Sequence, residues 1–472
     1  MSIKSLGRQS LIYGVGHVLS RIITFLLLPL YTHLFTPEEY GVISLAYAFM
    51  GMTLIFYRYG MDSALLKYAI AFKNENRKVY LSTIYIMQVM TSFIFSTAIY
   101  FSSPILSKYI LATEEPKLIM LLSGILACDA LWNLSVLILR AEEKPVQFIA
   151  FNLVNVLATM GFNIFFVVHL KKGIEGVLLA NFISSLLLLI ISLPVIFKRL
   201  SVRNLSLTVA KNILGFGLPF LPAGIFTMIM ELSNRYLLLM MDGSSSVGLY
   251  SAGHKIGMLG LIVVMGFNMG WTPYFLNRIE EKHARKDFSI SATIFLGFLG
   301  YVILVILLWV SELMQIRIGN ANLIGKQFWG ATDVVYFILL AYLFFGMYVV
   351  QLPGVYAKNK TKWIPWFRFV GASSNVLLNI ILIPNYGVVG SACATAIAYF
   401  LMSLVIFLYS RRFYPINYNF TACFYPIIFA GIAFYVGENI LIRILFMLLY
   451  PLIWYSMIIN KNEKSIVKSF IK

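Results

Sequence analysis

Several long stretches of the chain contain no Asp, Glu, Lys or Arg, among them residues 79–107, 145–170, 176–197, 288–311, 334–357, 369–410 and 413–437. A helix needs about 20 apolar residues to cross the roughly 30 Å hydrocarbon core of a bilayer. Each stretch is long enough to do so, and 369–410 is long enough to cross twice, with Asn385-Tyr386-Gly387 as its turn. Only 12% of the 472 residues are charged and 60% are hydrophobic, whereas soluble domains carry about 25% charged residues. A soluble enzyme and a disordered tail are thereby excluded.

Turn residues and charges together place about 14 spans, near 10–35, 40–62, 79–102, 117–140, 146–170, 176–197, 212–240, 247–276, 288–310, 331–356, 362–384, 387–409, 419–437 and 441–459. The first run is too long for a signal-peptide core and lacks a small-residue cleavage signature, so it reads as an uncleaved span. The formal charge of +18, from 37 Lys and Arg against 19 Asp and Glu, then takes its meaning from position. Loops on the side of the N-terminus hold 25 of the 37 basic residues and the opposite loops seven. The other five, Arg21, Arg58, Arg235, Lys255 and Arg368, lie within or at the edges of spans. Under the positive-inside rule both termini face the cytoplasm, which requires an even number of spans. The charge excess marks loops and implies no nucleic-acid partner. Cys128, Cys393 and Cys423 form no CxxC pair and suggest neither a zinc site nor a disulfide framework.

The two halves echo each other. Ala141-Glu142-Glu143-Lys144 introduces one span and Ala357-Lys358-Asn359-Lys360 another. Asn163-Ile164 followed by Gly173-Ile174-Glu175-Gly176 matches Asn379-Ile380 followed by Gly387-Val388-Val389-Gly390, and Tyr40-Gly41-Val42 matches Val247-Gly248-Leu249. The offset is about 210 residues. Six spans per copy is even, so both copies insert the same way up, with any substrate site expected between them. The expected fold is an all-α polytopic membrane protein: an N-terminal lobe with its linker over 1–211, a C-terminal lobe over 212–410, and two further helices with a cytoplasmic tail over 411–472.

Several motifs keep order over most of the chain. They are Leu28-Pro29-Leu30-Tyr31, Phe35-Thr36-Pro37-Glu38-Glu39-Tyr40-Gly41, Tyr59-Gly60-Met61-Asp62-Ser63-Ala64, Gly217-Leu218-Pro219-Phe220-Leu221-Pro222-Ala223, Ser233-Asn234-Arg235-Tyr236-Leu237, Val247-Gly248-Leu249-Tyr250-Ser251-Ala252, Trp271-Thr272-Pro273-Tyr274-Phe275, Asn375 with Asn379, and Ile383-Pro384-Asn385-Tyr386-Gly387. In these the sequence resembles the Wzx-type flippases, the polysaccharide-biosynthesis transporters of the MOP superfamily, which commonly carry Asp where Asn234 stands. The resemblance implies a two-lobed, V-shaped, MATE/MurJ-like fold of 14 helices in a bacterial cytoplasmic (inner) membrane. It implies alternating-access translocation of an undecaprenyl-diphosphate-linked oligosaccharide, the repeat unit of an O-antigen, capsule or exopolysaccharide, from the cytoplasmic to the outer leaflet. No cofactor is implied beyond an ion gradient of H⁺ or Na⁺. The polymerase and chain-length proteins of the same pathway are the implied protein partners.

A dianionic diphosphate head cannot pass through lipid unaided, and fixed cations in a wet cavity would lower its barrier. A charge at mid-bilayer itself costs about 2.5–3.5 kcal/mol on insertion scales, so each one needs a partner or water. With the resemblance in hand, Arg21, Arg235, Lys255 and Arg58 are the candidate substrate-binding cations. Arg21 either lines the cavity or pairs with another helix. Glu231 and Arg235 are four residues apart on one helix face, as an ion pair or as a coupling group beside a substrate cation. Arg58 and Asp62 have the same spacing nearer a span end, where snorkelling competes with a substrate role. Asp129 has no basic residue nearby in sequence; it is protonated, paired across the cavity or, like Glu231, an ion-coupling site. Pro219 and Pro222 mark a bend in span seven, a moving hinge or a static kink.

The five histidines form no metal-spaced cluster, and Gly319 to Lys326 departs from a phosphate loop in spacing and in having Gln327 for Ser/Thr. A membrane polysaccharide polymerase would need a substantial external loop that this chain lacks. A MATE-type drug exporter would favour an acidic cavity. A flippase for lipid II, teichoic or another lipid-linked glycan shares the chemistry and stays open.

Overall fold

The structure, a computed structural model, describes residues 25, 27–72, 74–200, 206–318, 321–357, 360–435, 439–460 and 463–464. Arg21 lies outside the described residues. Eleven helices among the described residues are long and apolar enough to cross a membrane, and a shorter apolar helix covers Phe420–Ala433. The only sheet among the described residues is a two-residue antiparallel pair, β1 (Arg317–Ile318) with β2 (Ala321–Asn322). The chain forms two compact units, Met1–Gly248 and Leu249–Lys472.

The first unit contains α1 (Pro37–Arg58), α2 (Met61–Ala71), α3 (Asn74–Phe101), α4 (Ser103–Ile110), α5 (Pro116–Ala141), α6 (Pro145–Asn163), α7 (Gly173–Phe197), α8 (Leu207–Gly217) and α9 (Leu221–Asp242). The Thr36-Pro37-Glu38-Glu39 motif is a helix start. Thr36 Oγ1 accepts from the Glu39 N–H at 3.3 Å, Glu39 Oε2 accepts from the Thr36 N–H at 2.9 Å, and Pro37 supplies the first helical residue. α5 is the central element, packed on α7, α3, α1 and α2. Peripheral α3 turns large apolar residues outward, with Phe93 72% and Phe101 77% exposed. In water such a face would drive association; in lipid it is the solvated side.

The sequence reads 40–62 as one span. The structure ends α1 at Arg58 and starts α2 at Met61, with Tyr59 at φ 29° and Gly60 at φ 84° between them. A Cβ on Gly60 would fall on the Gly217 carbonyl, so glycine is required both for the left-handed turn and for the contact with α8. Met61, Ala64 and Leu65 of α2 join Leu81, Ile84, Leu137 and Ile213 in one apolar core there. α8 packs on α2 and α9 on α1, which is why the compact unit runs to Gly248 whereas the lobe boundary read from the repeat falls at Lys211.

The second unit contains most of α10 (Ser244–Arg278), then α11 (Ala284–Gln315), α12 (Thr332–Val350), α13 (Leu352–Tyr356), α14 (Ile364–Phe413), α15 (Phe420–Tyr435) and α16 (Ile440–Ile453). α14 covers two expected spans, divided at Gly387 (φ 51°, ψ −131°). Gly173, its counterpart in the repeat, is also left-handed, at φ 56°. The C-terminal helices dock on α11: Tyr450 OH donates to the Gly297 carbonyl at 3.0 Å, Tyr425 OH donates to the Tyr450 carbonyl at 2.8 Å, and buried Arg443 ion-pairs with Glu312.

Candidate functional site

Arg235 sits on α9 with 8% exposure. Its Nε donates to Ser44 Oγ on α1 at 2.9 Å, and Nη1 donates to the Glu231 backbone carbonyl at 3.0 Å. The next residue, Tyr236, donates its hydroxyl to the Leu45 carbonyl at 3.2 Å. Two successive residues of α9 are thus stitched to two successive residues of α1. These bonds offset part of the desolvation of a buried guanidinium. The four-residue spacing of Glu231 and Arg235 brings the Glu231 main-chain oxygen to the guanidinium.

Arg58 Nη1 lies 3.3 Å from Asp62 Oδ2. The spacing suggested a pair along one helix; the pair instead bridges the Tyr59-Gly60 break, from the last residue of α1 to the first turn of α2. Asn133 Nδ2 on α5 donates to Asp62 Oδ1 at 3.4 Å. One helical turn before Asn133, Asp129 Oδ1 accepts from Ser185 Oγ at 2.7 Å and from Trp132 Nε1 at 2.8 Å, within electrostatic reach of Arg58. A polar patch therefore runs from the end of α1 along one face of α5 to α7. It presents a carboxylate held by neutral donors, a group able to take up a proton or a small cation.

At the loop end of the same unit, Glu142 collects three cations. Arg199 Nε and Nη2 donate to it at 2.6 and 2.5 Å, Lys144 Nζ at 2.8 Å and Arg77 Nη2 at 3.1 Å. Burial alone would raise this carboxyl, but the hydrogen bonds from Arg199 and Lys144 outweigh it and hold it down to about 2. The repeat motif at 141–144 is thus a clamp that joins the α5–α6 loop to the start of α3 and the end of α7.

In the second unit, Lys255 is half-buried on α10. The neighbouring His254 places Nε2 3.3 Å from the Tyr342 hydroxyl of α12. Gly253 and Gly257 let α10 approach Val334 and Ile338 of α12 closely. One turn before Lys255, Tyr250 lies 3.4 Å from Thr395 Oγ1, which accepts from Asn375 Nδ2 at 3.4 Å; Asn379 Nδ2 donates to the Asn375 carbonyl at 2.7 Å. Sequence reasoning noted Asn375 and Asn379 as motif residues without assigning them a role. Their four-residue spacing inside a charge-free run was the available signal. Pro219 lies in a single 3₁₀ turn, Leu218–Phe220, that separates α8 from α9, and Pro222 enters the first turn of α9. Among the described residues no cluster of His, Cys, Asp and Glu could hold a metal ion.

Known proteins share this architecture. The chain is similar to an Lsg-locus protein of Haemophilus influenzae, 24% identical over 416 residues, covering 84% of this chain and 98% of that protein. In structure it is similar to the lipid II flippase MurJ in its inward closed conformation, with a TM-score of 0.73, 18% identity, and 97% of this chain and 99% of that one covered. It is also similar to an outward-facing multidrug resistance MATE transporter of the MOP superfamily, with a TM-score of 0.62, 16% identity and 87% and 95% covered. At such identities these likenesses speak for the fold. The profile of the polysaccharide biosynthesis protein family matches residues 6–279, more than half of the chain. The chain belongs to that family, and its fold is the one seen in the MurJ and MATE structures.

Proposed function

We propose that this protein is a flippase that carries a polyprenyl-diphosphate-linked oligosaccharide from the cytoplasmic to the outer leaflet of a bacterial inner membrane, with both termini cytoplasmic. Family membership and the likeness to a lipid II flippase support the class of cargo. The single observation that carries the reading is Arg235, a buried guanidinium in an apolar helix, positioned by Ser44 and a main-chain carbonyl. A fixed cation in low dielectric attracts a diphosphate far more strongly than the same cation in water. Arg21, Lys255 and Arg58 stand as further cations for the head group, while the polyprenyl tail stays in lipid. An H⁺ or Na⁺ gradient supplies the drive, with Asp129 and Glu231 as coupling carboxylates and the 3₁₀ turn at Pro219 as the hinge. The pathway's polymerase and chain-length proteins receive the product.

Deletion in the native host tests this reading. Lipid-linked repeat units are expected to accumulate on the cytoplasmic face. Normal export of unpolymerised repeat units would point to a polymerase and overturn it.

A further inference from the structure

The end of the second unit that carries the α10–α11 and α14–α15 loops holds a cavity of about 440 Å³. Lys282, Arg285, Lys286 and His283 line it, together with Ser289, Asn417 and Asn460. The one carboxylate among the described residues of its wall, Glu463, is engaged by the Asn460 N–H at 2.7 Å. The cationic side chains stand at the N-terminus of α11, whose dipole adds positive potential. The nearby Asp287 is drawn towards Arg278, at 3.8 Å.

The walls are built before any ligand arrives. Arg285 stacks on the Tyr414 ring at 4.5 Å, Tyr414 OH donates to the Ile279 carbonyl at 3.2 Å, and Ser289 Oγ donates to the Asn417 carbonyl at 2.6 Å. The volume lies in the range of small-molecule sites. The cavity sits where α10, α14 and the π-turn Trp454–Ile458 end and α11 begins, all of them parts of helices long and apolar enough to cross a membrane. Three cations there exceed the single carboxylate, and basic pockets between spans on the positive side take anionic head groups.

We propose that this cavity binds a phosphate-bearing anionic head group, with Lys282 and Lys286 supplying the charge and Arg285 fixed in place by Tyr414. The site shares no residue with those assigned to transport and does not rest on the flippase reading.

The test uses the purified full-length chain, delipidated in neutral detergent. Phosphatidylglycerol, phosphatidylcholine and inorganic phosphate are titrated separately, with the thermal unfolding midpoint and bound lipid by native mass spectrometry as readouts. Phosphatidylglycerol is expected to raise the midpoint and stay bound, and phosphatidylcholine to do neither. The double variant Lys282→Ala/Lys286→Ala is expected to bind it about 25-fold more weakly, at roughly fivefold per lysine, and Lys282→Arg/Lys286→Arg to retain binding. Arg411→Ala/Arg412→Ala, on the same loop side but outside the cavity, is expected to change nothing. Stabilisation by inorganic phosphate would assign the site to a soluble phosphate compound, and stabilisation by phosphatidylglycerol alone assigns it to lipid. Wild-type affinity in the Lys282/Lys286 double alanine variant, equal weakening in the Arg411/Arg412 variant, or no anion binding by the wild type would overturn the proposal.

Discussion

Arg235 and Glu142 show two ways in which this chain holds a charge. Arg235 is solvated by a hydroxyl and a main-chain oxygen. Ser44→Ala removes the Nε acceptor and is expected to cost about 1–3 kcal/mol, read as a lowered unfolding midpoint in detergent; an unchanged midpoint would show that the bond is dispensable. Glu142 is solvated by cations. Its folded-state pKa lies below that of an unfolded glutamate, so its contribution is fully present above the ordinary glutamate range and is lost as the pH falls from there towards about 2. Glu142→Gln is therefore expected to destabilise the protein at pH 7 by about 2 kcal/mol and to flatten this acid limb in a pH series of unfolding midpoints. Arg235, Arg58 and Asp129 were legible in the sequence because a charge inside an apolar run has to be accounted for. Ser44, Ser185 and Asn133 were not. A small polar residue in an apolar helix breaks no pattern, and Ser44 meets Arg235 only through packing across 191 residues.

Helices were legible as charge-free runs with turn signals, whereas their ends and breaks were set by local geometry. The expected span 40–62 divides at Tyr59-Gly60, and the close approach of α2 and α8 leaves no space for a side chain there. Gly60→Ala combines a left-handed backbone with a collision against the Gly217 carbonyl. It is expected to cost about 2 kcal/mol or more, read as loss of folded protein in size-exclusion yield; wild-type yield and unfolding midpoint would contradict the packing. The repeat has a reciprocal expression nearby. A Cβ on Gly41 of α1 would meet the Ser244 carbonyl, and one on Gly248 of α10 would meet that of Pro37. Pro37 and Gly41 correspond in the repeat to Ser244 and Gly248, so each helix start packs its glycine on the other's first residue. The short motifs at 40–42 and 247–249 were therefore visible in sequence as matching pairs, but their mutual contact was not.

For the whole molecule, most of the charge of +18 falls in loops between apolar runs, and only a few cations, Arg235 and Lys255 among them, stand within helices. In a cysteine-free background, Arg412→Cys is expected to react with a membrane-impermeant thiol reagent only after the cells are opened, and Asp242→Cys from outside; the reverse pattern would invert the topology. All-helical class and multi-pass architecture followed from composition and hydropathy alone. The cargo did not, because the site's partners lie on separate helices and the motifs mark helix starts and breaks as much as chemistry. Translocation of a polyprenyl-diphosphate-linked oligosaccharide in proteoliposomes, comparing wild type, Arg235→Ala and Arg235→Lys at matched insertion, tests the central claim most directly. Wild-type protein is expected to move the lipid, Arg235→Ala to lose at least about tenfold in rate, equivalent to about 1.4 kcal/mol, and Arg235→Lys to keep part of it. Wild-type rates in Arg235→Ala, or no translocation by the wild type, would contradict it.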